Sequence, residues 1–152
     1  MAQLRHLPRQ AARRGYLFDD VSPLYAFSFG LSYTTFEFSK PRLEKAVIGR
    51  KGSTAVRIDV TNTGDVKGDE VVQMYIRDKV SSVTRPVKEL KGFQRVTLEP
   101  GQTVTVTLPI TPEHLAFYGI DMKYVVEPGE FEIMVGSSSR DQDLQKISLR
   151  VR

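Results

Sequence analysis

A chain of 152 residues, 40% hydrophobic and 26% charged, is long enough for one packed domain and too apolar for a disordered polymer. The absence of cysteine excludes disulfide frameworks, thiolate metal sites and cysteine nucleophiles. The net charge of +4 resides in Arg5, Arg9, Arg13 and Arg14; without these four the 22 basic residues fall to 18, equal to the 18 acidic ones, and a balanced body lacks the broad basic face that a nucleic-acid partner requires.

In chain order, residues 1–38 come first and read as an N-terminal arm. Met1–Tyr16 lacks the apolar stretch of roughly 7–15 residues that makes a signal peptide. No run approaches the roughly 20 apolar residues of a membrane span, so no membrane partner is expected. Cytoplasm, periplasm and secretion all stay open. From Arg13 to Phe38 the chain is turn-rich and aromatic. Tyr16, Phe18, Tyr25, Phe27, Phe29, Tyr33, Phe36 and Phe38 are eight of its fourteen aromatics. A solvated tail would be aromatic-poor. This segment is therefore expected to pack on its own domain, on a partner domain, or on a second copy of the chain as a homo-oligomer.

Residues 39–152 read as all-β. The first strand is expected within Thr35–Leu43, bent or ended by Pro41. Val56, Ile58 and Val60 alternate with Arg57, Asp59 and Thr61, one face apolar and the other polar, before a turn at Asn62–Asp65. Glu70–Arg77 is apolar on both faces, which suits a central strand. Lys88–Val96 and Lys123–Val126 are weaker strand candidates. Val104, Val106, Leu108 and Ile110 alternate with threonines, a β-branched strand pattern. Thr111 followed by Pro112 predicts a short helical turn over Thr111–Leu115, with Thr111 as N-cap. Phe131, Ile133 and Val135, then Ile147, Leu149 and Val151, supply the last two strands. Glu99-Pro100-Gly101 and Glu127-Pro128-Gly129 both carry the Pro-Gly pattern of a type II turn. About seven short strands with frequent turns predict an immunoglobulin-like β-sandwich.

Candidate chemistry is sparse. His6 and His114 are the only histidines and stand far apart, so a structural zinc site is not expected. There is no Gly-x-Ser-x-Gly and no phosphate loop; Gly49-Arg-Lys-Gly52 reads as a hairpin turn. Carboxylates sit mostly in turns, and the adjacent Asp19 and Asp20 lack an EF-hand pattern. No catalytic residue, metal or cofactor is therefore expected. Sandwich modules that hold sugars offer aromatic faces to pyranose rings. With no tryptophan present, Tyr75 and Tyr124 are the candidate platforms, with Tyr118 a further possibility beside them.

Several ordered motifs carry a resemblance. Arg13–Tyr25 (RRGYLFDDVSPLY) followed by Phe27–Phe36 (FSFGLSYTTF), Val60–Gly64 (VTNTG), Gly68–Tyr75 (GDEVVQMY), Arg85–Phe93 (RPVKELKGF), Leu98–Gly101 (LEPG), Val126–Gly129 (VEPG) and Val135–Ser138 (VGSS) resemble the end of glycoside hydrolase family 3 β-glucosidases. There an aromatic linker joins the catalytic region to a C-terminal fibronectin type III-like domain. The chain departs from that pattern at Ala26, Ser28, Gly119 and Tyr124. The resemblance implies a non-catalytic accessory domain that braces the catalytic domains of a family 3 glycoside hydrolase, the parent enzyme removing terminal β-D-glucosyl residues. It implies interdomain contact through Tyr16, Phe18, Tyr25, Phe27, Phe29 and Tyr33. The family's aspartate nucleophile in a Ser-Asp-Trp context has no counterpart in this sequence. A carbohydrate or cell-wall binding module, with a polysaccharide as partner, is the alternative.

Overall fold

The computed structural model describes residues 23–152. Eleven strands and one short helix follow in order: β1 (Phe36–Phe38), β2 (Arg42–Leu43), β3 (Val47–Ile48), β4 (Thr54–Asn62), β5 (Gly68–Asp78), β6 (Glu89–Leu98), β7 (Thr103–Ile110), α1 (Pro112–Leu115), β8 (Phe117–Tyr118), β9 (Tyr124–Val125), β10 (Gly129–Gly136) and β11 (Leu144–Val151). A 3-10 turn at Asp141–Asp143 precedes β11. Six of the strands are eight to eleven residues long and build the sandwich; the rest are two- or three-residue pieces.

One sheet centres on β4, which pairs antiparallel with β1 and β2 along one edge and with β7 along the other. The second sheet runs β3-β11-β10-β5-β6, and a small separate ribbon pairs β8 with β9. All pairings are antiparallel except β11 with β3. The period-2 patterns set which faces meet. Val56, Ile58 and Val60 of β4 with Val106 and Leu108 of β7 oppose Val72, Met74 and Ile76 of β5 and Phe131, Ile133 and Val135 of β10, all buried in one core. This is the all-β sandwich that the alternation predicts.

The turn chemistry holds at one site and fails at another. Gly101 takes φ +73° and Gln102 N–H donates to Glu99 C=O at 3.0 Å, the geometry of a type II turn. Gly129 instead opens β10 opposite Val151, and Gly101 alone among the described glycines has positive φ. The second Pro-Gly therefore leads straight into a strand, because sheet pairing with β11 overrides the local turn preference. Pro112 does begin α1 and Thr111 does occupy its N-cap, but the Thr111 hydroxyl makes no capping hydrogen bond. The Thr111 N–H donates to His114 Nδ1 at 3.3 Å, while the Thr111 hydroxyl is buried without a partner.

Candidate functional site

The aromatic segment 23–35 lies across one end of the sandwich, and three attachments hold it there. The first is a buried clasp. Asn62, fully buried at the end of β4, donates from Nδ2 to the carbonyls of Val66 (2.8 Å) and Leu98 (3.0 Å). Its Oδ1 accepts from the Thr34 hydroxyl at 2.6 Å and from Gly64 N–H at 3.1 Å. One side chain thus joins the segment, the β4–β5 turn and the end of β6. Gly64 and Gly68 make room for Thr34: a Cβ at either would lie 2.3 and 2.5 Å from its side chain.

The second attachment is Phe29. The guanidinium of Arg140 stands 4.1 Å from its ring centroid, and Tyr25 stacks on the same ring with centroids 6.3 Å apart. Arg140 is held in turn by Asp143, through Nε at 2.8 Å and Nη2 at 3.1 Å. That pairing holds the Asp143 carboxyl below its ordinary range. The third attachment is main chain: Ser139 N–H donates to Phe27 C=O at 3.0 Å. A cavity of about 250 Å³ remains between Ser28–Ser32 and the ends of β5 and β10, with Glu70 and Asp143 on its wall. Burial raises the Glu70 carboxyl above its usual range, and the nearby Asp143 charge adds to this.

The structure divides the linker residues that the sequence nominates. Phe29 is half-buried against its own sandwich. Tyr25, Phe27 and Tyr33 point outward, at 71, 65 and 102% exposure. Tyr16 and Phe18 lie outside the described residues. Leu24 and Leu31, which the sequence reading passed over, are exposed as well, at 89 and 94%. They were legible as large apolar residues interleaved with the aromatics, but an aromatic count does not see leucine.

Tyr75 is a correction. It is 3% exposed and packs with Met134 and Leu144 on the outer face of the five-stranded sheet, so it offers no ring face to a sugar. Its hydroxyl donates to Gln73 Oε1 at 2.6 Å, and Gln73 Nε2 donates to Ser137 C=O at 2.7 Å. Burial raises its phenol pKa. Tyr75 thereby supports the 137–143 loop that seats Phe29. Tyr124 is half-exposed at the opposite end of the sandwich, where its hydroxyl donates to Glu113 C=O at 3.2 Å.

At that opposite end Arg85 ties the β5–β6 loop to the body. It pairs with Glu89 at 2.7 Å, lies 3.8 Å from Asp78, and stands 4.6 Å over the Phe117 ring. The Asp78 side chain is 2% exposed and its Oδ2 has no hydrogen-bond partner, so burial raises its pKa. Among the described residues no group of three or more His, Cys, Asp or Glu side chains is placed to hold a metal ion.

Comparison with known proteins places this architecture. Residues 70–139 match the family described as "Fibronectin type III-like domain". Residues 70–139 thus belong to a fibronectin type III-like domain. The chain is 52% identical to a β-xylosidase of Formosa agariphila, over 90% of this chain and 19% of that protein. It is 44% identical to β-glucosidase BoGH3A of Bacteroides ovatus, over 84% of this chain and 17% of that protein. The solved structure of β-glucosidase EmGH1 from Erythrobacter marinus superposes with a TM-score of 0.85 at 44% identity, covering 94% of this chain and 19% of the other. The chain thus spans about a fifth of the length of the relatives it matches. Those relatives are a β-xylosidase and two β-glucosidases by name.

Proposed function

We propose that this chain is a non-catalytic accessory domain that braces the catalytic domains of a family 3 glycoside hydrolase, in cis or in trans, through the outward face of its aromatic segment. One observation carries the reading. Leu24, Tyr25, Phe27, Leu31 and Tyr33 are each 65% exposed or more, on a segment whose backbone and Phe29 are already fastened to the sandwich. A segment meant only to cover its own domain would turn these side chains inward. Fully burying side chains of this size contributes about 1.5–3 kcal/mol each. Because the segment is held before contact, little ordering entropy opposes docking. The enzymatic action, on a terminal β-glucosyl or β-xylosyl residue, then belongs to the partner.

The test adds the purified chain to a family 3 catalytic fragment lacking this domain. The melting temperature of the fragment and its turnover of aryl β-glucoside and β-xyloside are measured. The expected result is no turnover by the chain alone and a stabilised, more active fragment in the mixture, lost on the double change Leu31→Ser and Tyr33→Ser. Turnover by the chain alone, or a mixture indistinguishable from the fragment, would overturn the proposal. Self-association that disappears with the same double change, without any effect on the fragment, would assign the face to a homo-oligomer instead.

A further inference from the structure

A groove of about 370 Å³ lies at the end of the sandwich remote from the aromatic segment, between the β8–β9 ribbon, the start of α1 and the β3–β4 turn. Pro112, Ala116, Val125 and Val126 are its less exposed lining, and Arg50, Lys51 and Glu113 are its exposed rim. Tyr124 completes the wall. The ribbon register sets Tyr118 directly opposite Tyr124, so both rings leave the same face. Their centroids are 5.1 Å apart at an interplanar angle of 52°, and they are 62 and 53% exposed.

The ribbon is a rigid support. Its other face is held by Phe117, buried under the Arg85 guanidinium. Its turn is closed by Met122 N–H to Gly119 C=O and by Gly119 N–H to Lys123 C=O, both at 3.0 Å. Tyr124 is fixed from a third side by its bond to Glu113 C=O. The tyrosine pair is therefore presented ready-made, with little rotamer entropy left to lose on binding.

We propose that this tyrosine pair and its groove bind the pyranose rings of a neutral glycan built of sugars with equatorial hydroxyls. Such a pyranose has a flat face of axial C–H bonds that stacks on an aromatic ring, while its hydroxyls point outward in the ring plane. Those hydroxyls both donate and accept, and the rim answers both. Glu113 accepts, while Arg50 and Lys51 donate. Rim charges of both signs suit a neutral ligand better than an anion or a cation. The volume falls within the roughly 300–1,000 Å³ of small-ligand sites, which pair an apolar lining with a few polar groups. Eight residues line the groove, against the roughly 20–30 a side that a protein interface of standard size engages. This site lies at the other end of the molecule from the bracing face, so it stands or falls independently of the proposed function.

The test is isothermal titration of the full chain with xylohexaose, with cellohexaose and with α-linked maltohexaose. The expected result is saturable binding of at least one of the three oligomers. Tyr124→Ala and Tyr118→Ala each lower affinity at least about tenfold, while Tyr124→Phe, which keeps the ring, retains it. Tyr33→Ala, at the other end, binds as the parent does. Unchanged melting temperatures for the exposed tyrosine variants separate lost binding from lost folding. No binding at millimolar oligosaccharide, or equal loss in Tyr33→Ala, would overturn the proposal. So would a protein dock, seen as association with a catalytic fragment that Ile120→Ser and Met122→Ser abolish while no sugar binds.

Discussion

Replacing Asn62 with alanine tests the clasp directly. The side chain is fully buried and makes four hydrogen bonds, to the Thr34 hydroxyl, the Gly64 N–H and the carbonyls of Val66 and Leu98. Alanine removes all four at once and leaves their partners behind. A buried polar group without a partner costs about 1–3 kcal/mol. The Thr34 and Leu98 bonds are fully buried, whereas the Gly64 and Val66 bonds are part-buried and open to water. Counting chiefly the first two gives a loss of about 2–6 kcal/mol, a large share of the ~5–15 kcal/mol that holds a typical domain together. Urea unfolding followed by circular dichroism reads this as a lower midpoint at unchanged m-value. In a thermal scan each kcal/mol lowers the melting temperature by roughly 2–4 °C for a chain of this size. Thr34→Val removes one bond and leaves Asn62 Oδ1 with Gly64, so it costs about 0.5–1.5 kcal/mol. The two changes share a partner, so the double variant should lose less than the sum. A loss below about 1 kcal/mol for Asn62→Ala, or strict additivity with Thr34→Val, would refute the clasp.

Gly64→Ala should destabilise by about 1–3 kcal/mol, because its Cβ would lie 2.3 Å from the Thr34 hydroxyl and 3.1 Å from the Thr35 nitrogen; equilibrium unfolding checks it, and the cost of Gly64→Ala should shrink in a Thr34→Ala background, which removes the hydroxyl contact. Arg140→Ala frees Phe29 from its cation, so chymotrypsin should cut at Tyr25, Phe27 or Phe29 faster than in the parent, at a global stability lowered by only about 0.5–1 kcal/mol. Arg85→Met leaves the Asp78 carboxylate buried without its cation and should cost about 3–5 kcal/mol at neutral pH, with a smaller loss in acid where Asp78 is protonated. Asp78 also sets a pH dependence. Burial raises its folded pKa above the unfolded value, so its protonated form stabilises the fold at low pH, and that contribution is lost as pH rises through the raised pKa. Asp78→Asn should therefore gain stability relative to the parent as pH climbs from 3.8 through the upper carboxylate range, and a flat difference across that range would contradict the assignment.

The sandwich was legible because its long strands obey period 2 over many residues, and burial of one face leaves little freedom of register. Val56-Ile58-Val60 and Val104-Val106-Leu108 meet on the core face that their alternation implies. Tyr75 was misread for the same reason. On a strand apolar on both faces, sequence cannot tell an open outer face from one covered by a loop from elsewhere. The cover comes from residues 137–143, more than sixty positions away, through the Gln73 amide. The clasp was half legible. Asn62 and Gly64 read as turn residues, but the contact of Thr34 with Asn62 joins segments 28 positions apart and leaves no local pattern. The Tyr118–Tyr124 pair was hidden by the shortness of its strands, since two residues are too few to show alternation.

The parallel pairing of β3 with β11 has a consequence for how the chain comes to be folded. Ile48 lies opposite Val151, about a hundred positions later, and Arg152 N–H donates to Ile48 C=O at 2.9 Å. The second sheet therefore cannot close until Val151 has left the ribosome, because β11 must enter between β10 and β3. Closing so long a loop is slow, and until it happens the edges of β10 and β3 stay open to other strands. Synthesis of the domain should be the aggregation-prone stage of its life, and deleting Val151 and Arg152 should free β3 from the sheet while the rest of β11 stays paired with β10.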